Sequence, residues 1–514
     1  MYVTNVSDLK EALRNTDTLI GHNIIGFDMP VLYDVWGFSW RHTVLDTYIM
    51  SRLYDPTLQS HSLKACAERA GGALKGDYDD WDGGLTDAMI KYCLADCVAT
   101  WSVYEDLKAK LEAGKFSQYC IDLEHRVKQI TVQQERNGFA FDFSMGCRLY
   151  NEHEERMNEI EATLQEVFPP IVEERWSDKT GKRLKDKVTT FNPGSRQQVA
   201  SRLEAKGAVW TERTETGKPK VDETTLATLK HIPEANLVLE YLTLGKRIGM
   251  LRSWIDNCKP DGRIYGRVNT LGTITGRMSH SKPNLGQIPS NPLYRKCFTV
   301  EEGNKLVGVD ASGLELRMLA HYMQDQEYTD LILHGDIHTH NQKAAGLAER
   351  SQAKTFIYAF LYGAGDAKIG SITGGGAAEG KKLKEDFLSS LPALATLLRK
   401  VRKNAATGRI IGLDGRYVMV RSEHSALNTL LQSAGAIIMK EALRIAVDKL
   451  DAYGYPYKLV AQVHDEMQLE VPEDYATKVG AVVRNSIRDA GRALNLRCPL
   501  DGEYGIGDTW ADTH

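Results

Sequence analysis

Residues 459–471 read LVAQVHDEMQLEV, and no other stretch limits the fold of this chain as much. Most of it has strand character. An apolar, β-branched run comes first, then Met467, Leu469 and Val471 alternate with Gln468 and Glu470. At the centre stand His464, Asp465 and Glu466. Burying an unpaired carboxylate is costly, and a like charge beside it adds to the cost. A fold that accepts this stretch needs a strand–turn–strand and something that offsets the acids at its tip.

A second acid suggests what that is. KLVGVD, residues 305–310, reads as a buried strand ending in Asp310, and ASGLELRMLAHYM follows as a turn and a helix. If the two strands are neighbours in one sheet, Asp310 and Asp465 converge. Two carboxylates brought that close repel unless a divalent ion lies between them. A pair of Mg²⁺ ions ~3.5–4 Å apart can activate an attacking hydroxyl and stabilise the leaving oxygens of a phosphoryl transfer. Strand-end acids are common, so Asp310 alone says little.

RSQAKTFIYAFLYG, residues 350–363, adds a third element. Arg350, Lys354, Tyr358 and Tyr362 recur every fourth residue, a spacing that drifts only ~40° per step and forms one helix stripe. Two cations and two aromatics make a poor core face. They suit a nucleoside triphosphate, with cations on phosphates and a ring against the base. Alone, the stripe also fits a snorkelling surface helix. The net charge is −4, yet residues 342–421 hold 14 Lys/Arg against 6 Asp/Glu. That segregation fits an anionic partner for one region, though a solvated basic face would show it too.

The 514 residues suggest about three domains. No apolar run approaches the ~20 residues of a membrane span, and the N-terminus has no basic-then-apolar signal, so a cytoplasmic setting is expected. The eight cysteines are scattered. Cys93 and Cys97 are a helical turn apart, but no second pair completes a zinc site. Residues 18–32 read as strand, turn and helix start, 85–112 as helix, and 114–165 as helix interrupted at 137–142. Residues 174–190 look like a polar, mobile loop, with Ser195 as the N-cap of the next helix. Residues 262–279 alternate like antiparallel strands and 408–420 like a hairpin. HSALNTLLQSAGAIIMKEALRIAVDKL reads as one long helix.

DASGLELR (310–317), RSQAKTFIYAFLYG (350–363) and QVHDEMQLEV (462–471) resemble motifs A, B and C of the family A, Pol I type, DNA polymerases. QERNGFAFD, TGRMSHSKPNLGQIP, GDIHTHNQ, LDGRYVMVRS and NTLLQSAGA resemble the T-seven-like phage replicative branch. The resemblance starts near residue 18 and covers nearly the whole chain.

It implies an α+β multidomain fold, a right-hand polymerase of palm, fingers and thumb preceded by a partial ribonuclease-H-like α/β exonuclease domain. The boundaries it implies are 1–112 for the exonuclease-like domain, 113–262 for the thumb and connecting helices, 263–325 for the first part of the palm, 326–433 for the fingers and 434–514 for the second part. It implies template-directed addition of dNMPs to a primer 3′ end with two Mg²⁺ ions, Mn²⁺ being a possible substitute. Asp310, Asp465 and the Ala311 carbonyl would be the metal ligands, with Glu466 an outer catalytic acid near the primer end. His338, Arg350 and Lys354 would hold the triphosphate. Tyr358 would stack on the incoming base and sugar and imply tolerance of dideoxynucleotides. Glu315 would crowd a ribose 2′-OH, and Tyr362 would occupy the template-base site before closure, with Gly363 letting the helix approach. Arg277, Gln432 and His464 would read the minor groove and primer end, where the A·T/G·C code is degenerate and pair shape is checked. Lys246, Arg247 and the 174–190 loop would grip duplex phosphates. Primer–template DNA, dNTPs and a phage helicase or primase are the implied partners, in the cytoplasm of an infected bacterial host.

Two departures stand out. GHNIIGFDMP supplies Asp28 with Asn23, and YCLADCVAT sets Tyr92 and Asp96 one turn apart, as that family's exonuclease motifs do. The family's first exonuclease motif, Asp-x-Glu on an early strand, should precede them, but only Asp8, Glu11 and Asp17 do, in a helix and a turn. Asp28, Tyr92 and Asp96 therefore read as a vestigial site with weak or absent proofreading, unless a second chain or lost first strands complete it. The 174–190 stretch is also short where relatives carry a thioredoxin-binding insertion, so thioredoxin dependence is not expected. Competing readings are a 3′–5′ exonuclease using the rest as a DNA clamp, a non-catalytic primer–template binding module, and a single-subunit RNA polymerase.

Overall fold

Two short apolar runs flanking a helix, Thr18–Gly21 (β1) and Thr43–Asp46 (β2), pair in parallel around Asp28–Trp36 (α1). The computed structural model describes residues 5–40, 42–72, 78–79 and 85–514. These divide into two units, residues 1–139 with 265–514, and residues 140–264. In the first unit Asp87–Ala113 (α2) follows β2, capped by Thr86, which accepts from the Met89 N–H. Gln118–Asn137 (α3) comes next, with Leu123, Val127, Ile130 and Gln134 buried at helical spacing.

In the second unit Phe143–Val167 (α4) packs against Pro233–Asn257 (α5). Between them Ile171–Trp176 (β3) and Arg183–Thr189 (β4) form an antiparallel hairpin. The expectation of a mobile loop over 174–190 is therefore corrected. Every residue of β3 is exposed, so neither face buries anything, and no apolar alternation marks the ribbon in the sequence. Ser195 is the expected N-cap, accepting from the Gln198 N–H.

Back in the first unit, Asn304–Ala311 (β5) leads through Gly313, at φ 59°, into Leu314–Met323 (α6). Ile337–Ala344 (α7) and Arg350–Leu361 (α8) follow. Arg409–Ile411 (β6) and Tyr417–Met419 (β7) are the expected hairpin, and Ala426–Tyr453 (α9) is the expected long helix. Lys458–Val463 (β8) and Glu466–Pro472 (β9) are the opening stretch, split at the acids. Ala476–Ala493 (α10) and Gly502–Gly507 (β10) complete it. The expected strands over 262–279 are shorter than the alternation suggested. Arg267–Asn269 and Ser279–Ser281 pair antiparallel, while the residues between turn through Gly276 at φ 77°.

The central sheet is antiparallel in the order β8-β9-β5-β10. Val307 faces Leu469, Val309 faces Met467 and Asp310 faces Glu466. Helix α10 covers it with Val479, Val483, Ile487 and Ala490, a buried stripe at helical spacing. Each such Val or Ile contributes roughly 1.5–3 kcal/mol by leaving water. This rigid sheet fixes where the acids at its end can point. Among the described residues no helix is long and apolar enough to cross a membrane.

Candidate active site

The two central acids stand together where β5 ends and β9 begins. The Ala311 N–H donates to the Asp465 carbonyl at 3.1 Å, which ties the last residues of β5 to the β8–β9 turn. His464 opens that turn at φ 55°, the left-handed conformation a tight link between twisted strands requires. Asp310 ends a buried strand with its side chain open to solvent. Burial of its surroundings, then Asp465 and Glu466, push its carboxyl up to about 7. Two hard oxygen donors that resist being charged together fit a divalent cation. Asp310 and Asp465 are the two carboxylates carried at these adjoining strand ends. Mg²⁺ is commonly held that way, through one or two carboxylates plus substrate phosphates.

The Glu466 carboxylate, expected as an outer acid near the primer end, is held by partners within the protein. It is buried, and its Oε1 accepts from Trp510 Nε1 at 2.6 Å and from Gln468 Nε2. Arg295 lies 3.7 Å and His514 3.3 Å from its Oε2. Strand alternation explains the split: Glu466, Gln468 and Glu470 share one face of β9, and Met467, Leu469 and Val471 the other.

Helix α8 buries Ala353, Phe356, Ile357 and Leu361. The Arg350, Lys354, Tyr358, Tyr362 stripe is thereby left on the other side, as the spacing predicts. Tyr358 and Tyr362 stack with centroids 6.4 Å apart. The Tyr362 hydroxyl donates to Glu315 Oε1 at 2.6 Å, and Arg277 Nη2 lies 3.4 Å from the same oxygen. Burial and the Glu315 carboxylate push the Tyr362 phenol up. Gly363 takes φ 72°, and a Cβ there would lie 3.2 Å from the His424 carbonyl oxygen. The left-handed backbone favours glycine, and a side chain there would also crowd that carbonyl.

Arg350 is gripped by a residue the sequence reading passed over. Its Nε and Nη2 donate to Asp336 at 2.7 and 3.0 Å, and Asp336 also caps α7 through the His338 and Thr339 N–H groups. The signal was the Asp two residues before His338 in GDIHTH. His338 sits among Arg350, Lys354 and Asp336, and burial with the two cations lowers its pKa against the pull of Asp336. Gln432 is half-buried on α9. Burial, with Arg277 nearby, lowers the pKa of His464.

Lys246 and Arg247 belong to the second unit, on α5, where Lys246 pairs with Glu223 at 3.5 Å. In the first unit Asp28 starts α1, and Tyr92 and Asp96 lie one turn apart on α2. Burial and the nearby Asp46 raise the Asp28 carboxyl. Burial, Cys93, Asp96 and Asp28 raise the Cys97 thiol, so both acids act on one turn of α2. Asp46, also missed, is buried and accepts from the Asn23, Ile25 and Tyr48 N–H groups at 2.7, 3.2 and 3.0 Å. It holds the loop that positions Asp28.

Comparison with known proteins adds an independent finding. Residues 171–512 match the family model described as DNA polymerase family A, and residues 1–112 match the one described as 3'-5' exonuclease. A DNA-directed DNA polymerase of Enterobacteria phage T3 is 32% identical over 98% of this chain and 94% of its own length. That of Escherichia phage T7 is 33% identical over 96% and 92%. Among solved structures, the POL domain of Pol1 from M. smegmatis, in complex with DNA primer-template and dNTP, aligns with a TM-score of 0.85 at 22% identity. It covers all of this chain and 90% of that one.

Proposed function

The chain belongs to DNA polymerase family A, and from that premise we infer that it is a DNA-directed DNA polymerase whose transfer centre is Asp310 and Asp465. The observation that carries the assignment of the centre is the meeting of those acids at adjacent strand ends. Their raised cost of being charged together supports a divalent-metal site.

Asp310, Asp465 and the Ala311 carbonyl would hold Mg²⁺, with Mn²⁺ as substitute. The ion would supply activation of the primer hydroxyl and offset of charge on the leaving oxygens. Arg350, Lys354 and His338 bind the triphosphate and neutralise charge as pyrophosphate departs. Arg350 exchanges Asp336 for phosphate in doing so, which couples nucleotide arrival to movement of α8. Tyr358 stacks on the incoming base and sugar. Glu315, fixed by Tyr362 and Arg277, crowds a ribose 2′-OH and so favours dNTPs. Arg277, Gln432 and His464 face the minor groove at the primer end. Lys246, Arg247 and the β3–β4 hairpin contact duplex phosphates. Glu466 acts from beneath, bracing the β8–β9 turn that carries Asp465. The phage polymerases it is similar to support a role in phage DNA replication inside a bacterial host, alongside a helicase or primase.

The 1–112 segment contributes weak proofreading or none. No Asp-x-Glu pair stands upstream of Asp28 in this sequence to join Asp28 and Asp96, and the buried Asp46 is committed to backbone N–H groups. Strong degradation of single-stranded DNA that disappears in Asp28→Ala would overturn this.

Gel-resolved primer extension tests the main reading. Asp465→Ala is expected to lose extension by a factor on the order of 10³ or more, since several kcal/mol of charge stabilisation goes with it. Primer–template binding by fluorescence anisotropy should change less than about twofold. Retained extension would dismiss the assigned centre.

A further inference from the structure

Behind the transfer centre lies a charge cluster that the chemistry does not use. Glu124 of α3, Asp414 and Arg416 of the β6–β7 hairpin, and Lys440 of α9 have side chains no more than 3% exposed. Arg416 Nη1 and Lys440 Nζ both donate to Glu124 Oε1 at 2.6 Å. Arg416 Nε and Nη2 grip Asp414 at 2.6–3.0 Å. Two cations and two anions cancel. Well-packed apolar side chains often serve stability as well as such a cluster, so stability alone does not account for it.

Its position suggests a use. Lys440 lines a cavity of about 20 Å³ together with Arg277, Met439, Gln462 and His464. That volume admits one water. Gln462 is 3% exposed, its Oε1 has no hydrogen-bond partner, and its Nε2 donates to the His464 carbonyl at 3.4 Å. On the other flank, Arg416 Nη1 lies 3.3 Å from where a Cβ on Gly276 would stand. The guanidinium thus lies beside the turn immediately before Arg277. Both residues read as facing the primer end border this cluster, Arg277 next to Gly276, and His464 with Gln462 around the cavity that Lys440 lines.

We propose that Lys440 is a positioning residue for the primer terminus, its ion pair with Glu124 fixing the cavity wall against which Arg277, Gln462 and His464 are set. A water in the cavity links Lys440 Nζ to Gln462 Oε1. Selection of a correctly shaped terminus then depends on a buried charge that no substrate touches. This rests on reading Arg277 and His464 as duplex-facing.

The test compares extension from matched and mismatched primer ends, with thermal melting of each variant. Lys440→Met is expected to slow matched-end extension about tenfold, with little change at mismatched ends and a KM for dNTP within about twofold. Lys440→Arg keeps the charge and stays within about threefold of the parent. Should Lys440→Met not fold, the paired Glu124→Gln/Lys440→Met protein preserves neutrality and carries the test. Arg277→Ala/Lys440→Met should be no slower than Arg277→Ala, because the two act through one contact. A folded paired variant with unchanged discrimination overturns the inference. If Arg277→Ala itself leaves matched-end extension and discrimination untouched, the reading of Arg277 fails instead.

Discussion

Glu315 shows how one side chain can carry several constraints. Its Oε1 accepts from the Tyr362 hydroxyl and lies near Arg277, so two partners hold the carboxylate in one orientation. Glu315→Ala is expected to raise CTP incorporation relative to dCTP by at least about tenfold, the scale on which one steric contact discriminates. Single-nucleotide incorporation measures it, and an unchanged ratio would remove Glu315 from sugar selection. At this scale the sequence was readable where the relevant spacing is local. Asp310, Asp465 and the Arg350–Tyr362 stripe follow from strand and helix periods. Trp510 and Arg295, which surround Glu466, lie far from it in sequence and meet it only in the fold. Asp336 was missed because a helix-capping Asp looks ordinary until the guanidinium it holds is seen.

Elements pack closely enough here for small changes to register. A Cβ on Gly480 of α10 would come within 2.5 Å of the Tyr504 ring on β10. Gly480→Ala should therefore cost about 1–3 kcal/mol through overpacking, read as a lowered midpoint in urea. Asp501 fastens the same helix to the sheet edge, accepting from Arg484, Arg488 and the Gly502 N–H. These partners, Arg488 foremost and against a smaller opposing effect of burial, hold its carboxyl well below the usual range. A depressed folded pKa contributes stability above the unfolded value near 3.8, and that stability is lost as pH falls through the folded value. Asp501→Asn should thus cost about 0.5–1 kcal/mol at neutral pH, solvent screening keeping it small. The gap from the parent should narrow below about pH 4. The long helix at 426–453 and the β8–β9 hairpin were legible because each is a sustained apolar segment bounded by turns, and the fold buries nearly all sides of both. The β3–β4 ribbon was not, because nothing in it is buried.

For the molecule as a whole, charge distribution predicts the response to salt. The logarithm of primer–template affinity should fall linearly with log salt concentration, and Lys246→Ala/Arg247→Ala should flatten that slope by about 2. An unaltered slope would take α5 out of the phosphate contacts. Added thioredoxin should leave product length unchanged in a processivity assay, since the 171–189 segment is a short ribbon. The fold class was readable from three ordered motifs. The two-unit division was not, because it depends on where the chain leaves and rejoins a sheet.

That division also bears on how the protein is made. Residues 140–264 interrupt a unit formed by residues 1–139 and 265–514, whose sheet needs β9 and β10. During translation the interrupting unit can condense once residue 264 has cleared the ribosome, whereas β5 must wait for β9 and β10. At about 5–20 residues per second the remaining 250 residues take tens of seconds. The nascent chain thus passes through an interval in which Asp310 is synthesised but its partner strand does not yet exist. A chaperone that shields β5 during that interval would be expected to raise the yield of active enzyme without altering its final rate.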